Sequence, residues 1–264
     1  MKVISWNIFN GQAANPTLPA PSLRESIQVT IASVGCEVLA VQEVDEKQPR
    51  SGSVHQLEEI AAAMGAPHWG YARAVIGTPG FGWRKPTSDE KVLHSESSLP
   101  GYGVGLASKI PVKKWHRLDL PASWIGAPLA FPTEKGFRLR YTKDEPRVAI
   151  IAELENGFTV AATHLSFVPF WNYYQLLRLI RFMRKLPGEL LIAGDINLPW
   201  NIPTRFSSWR SLVSKKTFPA YKPSLQFDYI LAAKKSKNLV VVPIEFIDST
   251  MSDHLPVGVD LHLL

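Results

Sequence analysis

The stretch that most constrains this chain is residues 190–199, with the sequence LLIAGDINLP. Its apolar start predicts a central strand that is buried on both faces. Gly194 then lets the backbone turn closely, and Asp195 and Asn197 follow the strand's carboxyl end, where open sheets place their ligands. Carboxylate and amide oxygens suit phosphate and magnesium rather than zinc. We therefore expect chemistry at this turn.

Length and composition favour an ordinary globular protein. The chain has 264 residues, of which 45% are hydrophobic, and no linker-like or low-complexity break divides it, so we expect a single domain over residues 1–264. The formal net charge of +6 suits a polyanionic partner such as nucleic acid, a phosphorylated metabolite or an anionic membrane surface, although it is also compatible with mere solubility. Cys36 is the only cysteine, which excludes an intramolecular disulfide.

The sequence shows no signal-peptide pattern and no apolar run long enough to span a bilayer. We therefore expect a soluble, cytoplasmic protein without a transmembrane segment, and we expect it to be a monomer. Peripheral contact with a membrane stays open.

Turn and capping signals divide the chain into short elements. Helices are predicted at three places, residues 22–35, 53–64 and 172–185. An Asn-Gly turn predicts a hairpin of residues 147–154 with residues 158–163. A second hairpin is predicted upstream, of residues 102–107 with residues 112–118. Two stretches without periodicity are predicted to be irregular, residues 77–101 and 121–136. Because strands dominate and hairpins are present, we expect a mixed α/β sandwich with antiparallel sheets.

Polar residues recur where apolar strands are predicted to end: Asn7, Glu43, His164, Asp195, Asn197, Asp253 and His254. Each has an ordinary explanation when it is taken alone, such as capping a turn or forming a hydrogen-bonded core histidine. Asp228 is different because it lies within an apolar strand. A carboxylate is rarely buried without a partner, and a histidine is the natural one.

The order of these motifs is more specific than any one of them. Asn7 is followed by Gln-Glu at 42–43, Thr-His-Leu at 163–165, Gly-Asp-Ile-Asn at 194–197, Asp-Tyr at 228–229 and Ser-Asp-His-Leu-Pro at 252–256. This series resembles the endonuclease/exonuclease/phosphatase superfamily, the fold of deoxyribonuclease I, over residues 6–263. The resemblance implies an α/β (α+β) fold, a four-layer α/β/β/α sandwich of two packed, mixed and mainly antiparallel sheets. It also implies a divalent-metal-dependent phosphoesterase that hydrolyses a phosphodiester by direct attack of water.

The resemblance further implies a metal site and a candidate for substrate binding. Glu43 matches the principal metal-ligating carboxylate, with Asn7 and Asp253 nearby, and the ion would be Mg²⁺ or Mn²⁺ held by few protein oxygens and several waters. Arg147 follows a proline at the entry to a strand, as in many bacterial members. Two interpretations of Arg147 stay open: it approaches the phosphate, or it is a surface arginine.

The catalytic residues are carried over in the same way. Asp195 matches the residue that orients or deprotonates the attacking water, and Asn197 matches the one that steadies the phosphate. His254 matches the histidine beside the scissile phosphate, with Asp228 as its carboxylate partner, and His164 matches a second phosphate-contacting histidine. A divalent ion and fixed donors would stabilise the charge that builds up on the phosphoryl oxygens.

The substrate is not determined by these motifs. The apurinic-site endonuclease branch typically has a tyrosine where this chain has His164 and a further polar residue where it has Phe9. The Thr-His-Leu pattern is closer to the deoxyribonuclease, sphingomyelinase and inositol-phosphatase-like branches. The alternatives are a magnesium-dependent DNA endonuclease or exonuclease, a sphingomyelinase- or inositol-phosphatase-like hydrolase, and a catalytically silent binding module on this fold.

Aromatic residues are concentrated in residues 165–184, together with several arginines. One interpretation is an aromatic rim that stacks on bases or dips into a membrane. The other is an amphipathic helix that packs on a sheet, with Leu176, Leu177, Ile180 and Met183 as its buried stripe. The packing interpretation is favoured for the helix. For residues 167–171, which precede it, both stay open.

Overall fold

The computed structural model describes residues 1–264 except 14–17, 92, 94–98, 134–135, 206, 235–238, 248–249 and 264. The strands are β1 (Lys2–Asn7), β2 (Val38–Glu46), β3 (His68–Thr78), β4 (Gly82–Arg84), β5 (Gly101–Ser108), β6 (Val112–Leu120), β7 (Ala127–Thr133), β8 (Gly136–Thr142), β9 (Arg147–Leu154), β10 (Phe158–His164), β11 (Glu189–Asp195), β12 (Trp209–Ser211), β13 (Asp228–Ala233), β14 (Leu239–Pro243) and β15 (Val257–Leu263). The helices are α1 (Leu23–Ile27), α2 (Gln56–Met64), α3 (Trp171–Met183) and α4 (Ile202–Arg205). No described helix has the length and apolar character needed to cross a membrane.

Two large sheets form the centre of the molecule. The first has the strand order β14-β15-β1-β2-β5-β3-β4 and the second the order β12-β13-β11-β10-β9-β6, while β7 and β8 pair separately. β1 is parallel to β2 and β10 is parallel to β11, whereas the other described pairings are antiparallel. The prediction of mixed, mainly antiparallel sheets is confirmed.

The layers follow from where apolar side chains are buried. Residues such as Ile150 and Val160 lie in the core between the two sheets. Ile60 of α2 packs on the outer face of the first sheet, and Ile180 of α3 packs on the outer face of the second. The predicted four-layer α/β/β/α sandwich is confirmed. Helix α3 packs through an amphipathic face as expected, but its buried stripe contains Leu179 in place of the predicted Leu177.

Strand direction brings chemically active ends together. The parallel pairs β1/β2 and β10/β11 place their carboxyl ends at the same edge, and β9, β13 and β15 begin there because each runs antiparallel to one of those strands. We call this the site edge: the ends of β1, β2, β10 and β11 and the starts of β9, β13 and β15. Each polar residue singled out in the sequence lies on a strand or loop at this edge.

Local predictions succeeded where the turn chemistry was specific. The predicted hairpin of β9 and β10 is confirmed. The hairpin predicted for residues 102–107 and 112–118 is wrong, because β5 pairs within the first sheet and β6 is the edge strand of the second. The chain therefore crosses between sheets at residues 109–111, where a short polar turn is compatible with either connection.

The two stretches predicted to be irregular contain strands. Residues 121–136 include β7, which pairs with β8, so the prediction is wrong there. At 77–101, β3 continues to Thr78 and pairs with the short β4, and residues 92 and 94–98 lie outside the described residues. Cross-strand pairing supplied a regular structure that local periodicity did not show.

Two helices differ from their predicted limits. Ser22 caps α1, and its hydroxyl accepts a hydrogen bond from the Glu25 backbone N–H at 3.3 Å. The chain then continues as a π-helix over Gln28–Ala32 rather than as α-helix. Helix α2 begins at Gln56, later than predicted, and ends at Gly65 in the left-handed conformation as expected.

Candidate active site

Asn7 joins a carboxylate of one sheet to a carboxylate of the other. It is the last residue of β1, and its Nδ2 lies 3.1 Å from Glu43 Oε1 and 3.1 Å from Asp195 Oδ2. Its side-chain oxygen accepts a hydrogen bond from the backbone N–H of Phe9 at 3.1 Å. Asn7 therefore donates to both carboxylates, and its oxygen, which was expected near a metal ion, has a backbone partner.

Glu43 reaches the site from a bulge rather than from a strand end. The register of β2 against β5 shifts between Val41 and Val44, and β2 continues to Glu46. Glu43 has a φ of +56°, which is uncommon for a residue with a side chain. A bulge of this kind redirects one side chain without ending the strand. The predicted strand end at Glu43 is thus wrong, although the side chain still faces the site.

Asp195 is the last residue of β11, and Gly194 before it serves close packing rather than a turn. A Cβ at Gly194 would lie 2.0 Å from the carbonyl oxygen of Thr163 on the neighbouring strand. The turn comes afterwards, at Asn197, whose φ is +52°. The Asn197 backbone N–H donates to Asp195 Oδ1 at 3.0 Å, which fixes one carboxylate oxygen.

His254 lies between two aspartates. Its Nδ1 is 2.8 Å from Asp228 Oδ2, and its Nε2 is 3.7 Å from Asp195 Oδ2. Burial by itself lowers the pKa of His254, but the negative charges of Asp228, Asp195 and Asp253 outweigh it and raise the pKa to about 10. The imidazole is therefore a cation at neutral pH, with its Nε2–H directed at Asp195.

His164, at the end of β10, differs from His254 in its charge state. Its Nε2 lies 3.2 Å from Asn197 Nδ2 and 3.5 Å from Asp195 Oδ2. Burial lowers the pKa of His164 well below its ordinary value, and the positive charges of Arg147 and His254 lower it further. A neutral imidazole accepts the Asn197 amide hydrogen bond at Nε2 and carries its own proton at Nδ1.

Arg147, the first residue of β9, is enclosed by protein. Its guanidinium lies 3.3 Å from Glu145 Oε1 and 5.8 Å from the centre of the Phe167 ring. The residue is only 4% exposed, so the interpretation of a surface arginine is wrong. It supplies a buried positive charge beside His164.

Comparisons with known proteins agree with this geometry. The sequence pattern of the Endonuclease/Exonuclease/phosphatase family matches residues 4–254. The chain belongs to this family. Its members are generally hydrolytic phosphoesterases, and no curated protein sequence matches the chain.

Solved structures show the same fold over the whole chain. An endonuclease/exonuclease/phosphatase from Beutenbergia cavernae is 20% identical with a TM-score of 0.65, covering 100% of this chain and 71% of that one. The human Nocturnin catalytic domain with bound sulfate is 16% identical with a TM-score of 0.61, covering 100% and 93%. A mannosyl-6-phosphatase from Bacteroides thetaiotaomicron is 14% identical with a TM-score of 0.58, covering 100% of both chains. At these identities the likeness concerns the fold.

The charge balance at the site fits the divalent cation that is typical of the family. Burial, together with the negative charge of Asp253, raises the pKa of Glu43 to about 7. Burial also raises the pKa of Asp253, whose Oδ1 is buried and has no hydrogen-bond partner among the described residues. Carboxylates that repel one another in this way, with an oxygen left over, are suited to share a hard cation.

A second acidic group has a different character. Asp195, Asp228 and His254 each place one ligand-type atom within 4.8 Å of the others. The protonated His254 ring lies between the two carboxylates, with one ring nitrogen facing each of them. A protonated imidazole does not bind a metal ion. Among the acidic side chains of the site, Glu43 and Asp253 are therefore better suited to hold a cation than this group.

Sequence reasoning missed the residues that hold this arrangement in place. The Ser252 hydroxyl donates to the Asn7 carbonyl oxygen at 2.6 Å and accepts from the His254 N–H at 3.0 Å. Asn172 Nδ2 donates to the Asn197 carbonyl oxygen at 2.8 Å. The Phe218 ring lies 4.8 Å from the His254 ring, centre to centre. Only Ser252 carried a signal, since it precedes the Asp-His pair directly.

Proposed function

We propose that this protein is a divalent-metal-dependent phosphoesterase that hydrolyses a phosphodiester bond by direct attack of water. The observation that carries the proposal is the Asn7 amide, which donates at 3.1 Å both to Glu43 and to Asp195. The Asn7 amide thereby holds Glu43, which is suited to bind a cation, beside Asp195, which is suited to activate a water molecule. Both activating groups of a hydrolytic reaction would then act on one phosphorus atom.

Asp195 is proposed as the general base. Burial raises the pKa of its carboxyl group and Asp228 raises it further, against the positive charge of His254. A base whose pKa is brought toward the working pH takes a proton from water more effectively. Asn197 fixes Oδ1 of Asp195 through its backbone N–H, which leaves Oδ2 on the side shared with Asn7 and His254.

His254 is proposed to stabilise negative charge on the phosphoryl oxygens. Its pKa of about 10 keeps it protonated through the neutral range, and a fixed cation in a water-poor site is an effective stabiliser of developing charge. Asp228 orients the ring and maintains its charge, which is a positioning role. His164 and Asn197 would lie beside the phosphate as neutral groups, with Arg147 supplying a buried positive charge next to His164.

The metal ion is proposed to be Mg²⁺ or Mn²⁺, because oxygen ligands suit hard cations. Glu43 and Asp253 would hold it, with Asn7 keeping Glu43 in place. When bound, it would supply Lewis-acid stabilisation of the phosphoryl oxygens.

The substrate class stays within phosphoric esters. A DNA endonuclease or exonuclease and a sphingomyelinase- or inositol-phosphatase-like hydrolase are the specific alternatives, and a silent binding module is the alternative of another class. The sulfate bound to human Nocturnin is a tetrahedral oxyanion in that protein, which is in keeping with a phosphate-sized site here. A silent module would not need Glu43, Asp195 and a charged His254 together.

The test is hydrolysis by the purified protein in Mg²⁺ and in chelator. The panel holds single- and double-stranded DNA, abasic DNA, RNA, sphingomyelin, inositol phosphates and a bis-aryl phosphate. We expect turnover that needs the metal and falls about 10²- to 10⁴-fold in Asp195→Asn. The matched control is Asp260→Asn, since Asp260 pairs with the N-terminus away from the site. Undiminished turnover by Asp195→Asn, or turnover in chelator, would overturn the mechanism.

A further inference from the structure

The exposed aromatic side chains among the described residues are all found at one edge of the molecule. They are Phe81, Trp124, Tyr141, Phe170, Tyr174, Trp200 and Tyr221. Large aromatic rings are normally at least half-buried in a soluble protein, and exposed patches of them mark interaction surfaces. Their distribution is therefore informative.

Strand direction shows that this edge is the site edge. Phe81 follows the end of β3, which runs parallel to β2 through their shared neighbour β5. Trp124 and Tyr141 lie between the end of β6 and the start of β9. Tyr174 is in the first turn of α3, after the end of β10. All four therefore project from the edge that carries the candidate site.

The remaining exposed aromatic residues lie at the same edge. Phe170 immediately precedes α3, Trp200 follows the end of β11, and Tyr221 lies in the segment that leads into the start of β13. The exposed aliphatic residues Val240 and Leu263, in contrast, lie at the far ends of β14 and β15. The aromatic residues are thus segregated by position in the fold and not merely scattered over the surface.

Two rings of this set, Trp124 and Tyr174, are linked through the partly buried Trp171. The Trp124 and Trp171 rings lie 6.2 Å apart, and the Trp171 and Tyr174 rings lie 5.0 Å apart. The Tyr141 hydroxyl accepts a hydrogen bond from the Gly126 N–H at 2.7 Å, which ties β8 to the same segment. We call Trp124, Ile125, Leu139, Tyr141, Phe170, Trp171 and Tyr174 the aromatic rim.

The aromatic rim is connected to the candidate site. Asn172, the neighbour of Trp171, donates to the carbonyl oxygen of Asn197 at 2.8 Å. Trp171 and Gln175 both donate to the carbonyl oxygen of Pro121 at 2.8 Å. A surface that covers the rim would therefore face the site as well.

Positive charge accompanies the rim. Arg140 and Lys143 are exposed in the rim's own segment, and Lys216 and Lys222 are exposed in the neighbouring segment that contains Tyr221. Residues 165–188 and 212–227 contain no aspartate or glutamate, whereas residues 121–146 contain Glu134, Asp144 and Glu145, of which Asp144 and Glu145 are buried. A surface that is apolar inside and negatively charged at its boundary would complement this edge.

We propose that the site edge docks on an anionic lipid bilayer, with the rim at the level of the headgroups and the cations against lipid phosphates. Aromatic rings favour the membrane–water interface, and clustered lysine and arginine are attracted to anionic lipids. Docking does not depend on the proposed reaction. If both hold, the phosphate ester is presented to the site at a membrane surface.

Single-stranded nucleic acid fits the rim less well. Ile125 and Leu139 are exposed within it and offer no ring for a base. The Trp124 and Trp171 rings are tilted by 38° and the Trp171 and Tyr174 rings by 45°, so the rings pack on one another and do not present parallel platforms. Aliphatic and aromatic side chains mixed in this way suit hydrocarbon.

The test is co-sedimentation of the full chain with vesicles in chelator, so that metal-dependent turnover does not enter. The vesicles contain phosphatidylcholine alone or with phosphatidylserine. The test variant is Trp124→Ala/Phe170→Ala, because both residues are 89% exposed and their loss leaves the core intact. The matched control, Val240→Ala/Leu263→Ala, removes exposed apolar side chains at the opposite end.

We expect binding to phosphatidylserine vesicles that is at least about tenfold weaker in the aromatic variant and unchanged in the control. Lys143→Gln/Lys222→Gln should weaken it about fivefold per lysine at low salt. The proposal would be overturned if Trp124→Ala/Phe170→Ala bound the phosphatidylserine vesicles as tightly as the native protein, or if the native protein did not bind vesicles at all. Binding of a single-stranded oligonucleotide that this variant loses, without vesicle binding, would assign the rim to nucleic acid instead.

Discussion

His254 Nδ1 lies 2.8 Å from Asp228 Oδ2, and both side chains are buried. Asp228 is the first residue of β13 and is paired with Asp195, the last residue of β11. This pairing places one aspartate on each side of the histidine. The pKa of His254 rises from 6.5 to about 10 because these carboxylates outweigh the effect of burial. The folded state therefore binds the His254 proton more tightly than the unfolded state does. The stability that this proton contributes is complete below pH 6.5 and is lost as the pH rises toward 10.

Asp228→Asn should shift the alkaline limb of the pH–rate profile to lower pH. The amide keeps the shape of the side chain but removes a negative charge, so the pKa of His254 falls and the cation is lost earlier as the pH rises. The measurement is kcat/KM from pH 6 to 10, with the exposed Glu155→Gln as the control. An alkaline limb that stays in place would contradict the pairing.

Metal binding at Glu43 should release a proton at pH 6 but not at pH 8. The pKa of Glu43 is about 7, so the carboxyl group is mostly protonated at pH 6, whereas a cation binds the carboxylate. The affinity for Mg²⁺ should therefore rise by up to about tenfold over this interval. Calorimetry in buffers of different ionisation enthalpy measures both quantities.

The matched control for this experiment is Glu59→Gln, in which an exposed carboxylate of α2 is neutralised. Glu43→Gln should lose the metal affinity together with its pH dependence, while Glu59→Gln keeps both. Equal affinity of the native protein at pH 6 and pH 8 would show that Glu43 is not the titrating ligand.

Asn7→Asp should lower activity and move the acid limb of the profile to higher pH. The new carboxylate takes the place of the donor that serves Glu43 and Asp195. Its charge and the lost hydrogen bonds both favour the protonated forms, so the pKa of each carboxyl group rises and a higher pH is needed to ionise the base. The same pH series tests this, with Asn156→Asp in an exposed turn as the control, and an unmoved acid limb would count against it.

The polar groups of the site were predictable because each lies at a strand end or in a short motif. The direction of the strands then brings them together, as the carboxyl ends of β1 and β11 show. The bulge at Glu43 was not predictable, since its left-handed backbone depends on the register between β2 and β5. The pattern along one strand does not show where an extra residue is inserted opposite its partner strand.

Connections between sheets and burial of charge were also beyond local patterns. The sequence of residues 108–111 is compatible both with a hairpin turn and with a crossing between the sheets. The pairing of β6 with β9 shows that the chain crosses between the sheets here. The burial of Arg147 depends on Glu145 and on Phe167, which reaches it from beyond the end of β10. Such partners are supplied by the tertiary fold.

Gly194→Ala should destabilise the protein by about 1–3 kcal/mol or more, because its Cβ would meet the Thr163 carbonyl oxygen at 2.0 Å. That atom belongs to the backbone of β10 and cannot move without disturbing the pairing that aligns His164 with Asp195. The control is Gly82→Ala, since a Cβ there meets nothing within 4 Å. Urea unfolding measures both variants, and equal midpoints would show that β10 and β11 separate without cost. Loss of activity in Gly194→Ala at temperatures where it stays folded would place the effect on the alignment of the site.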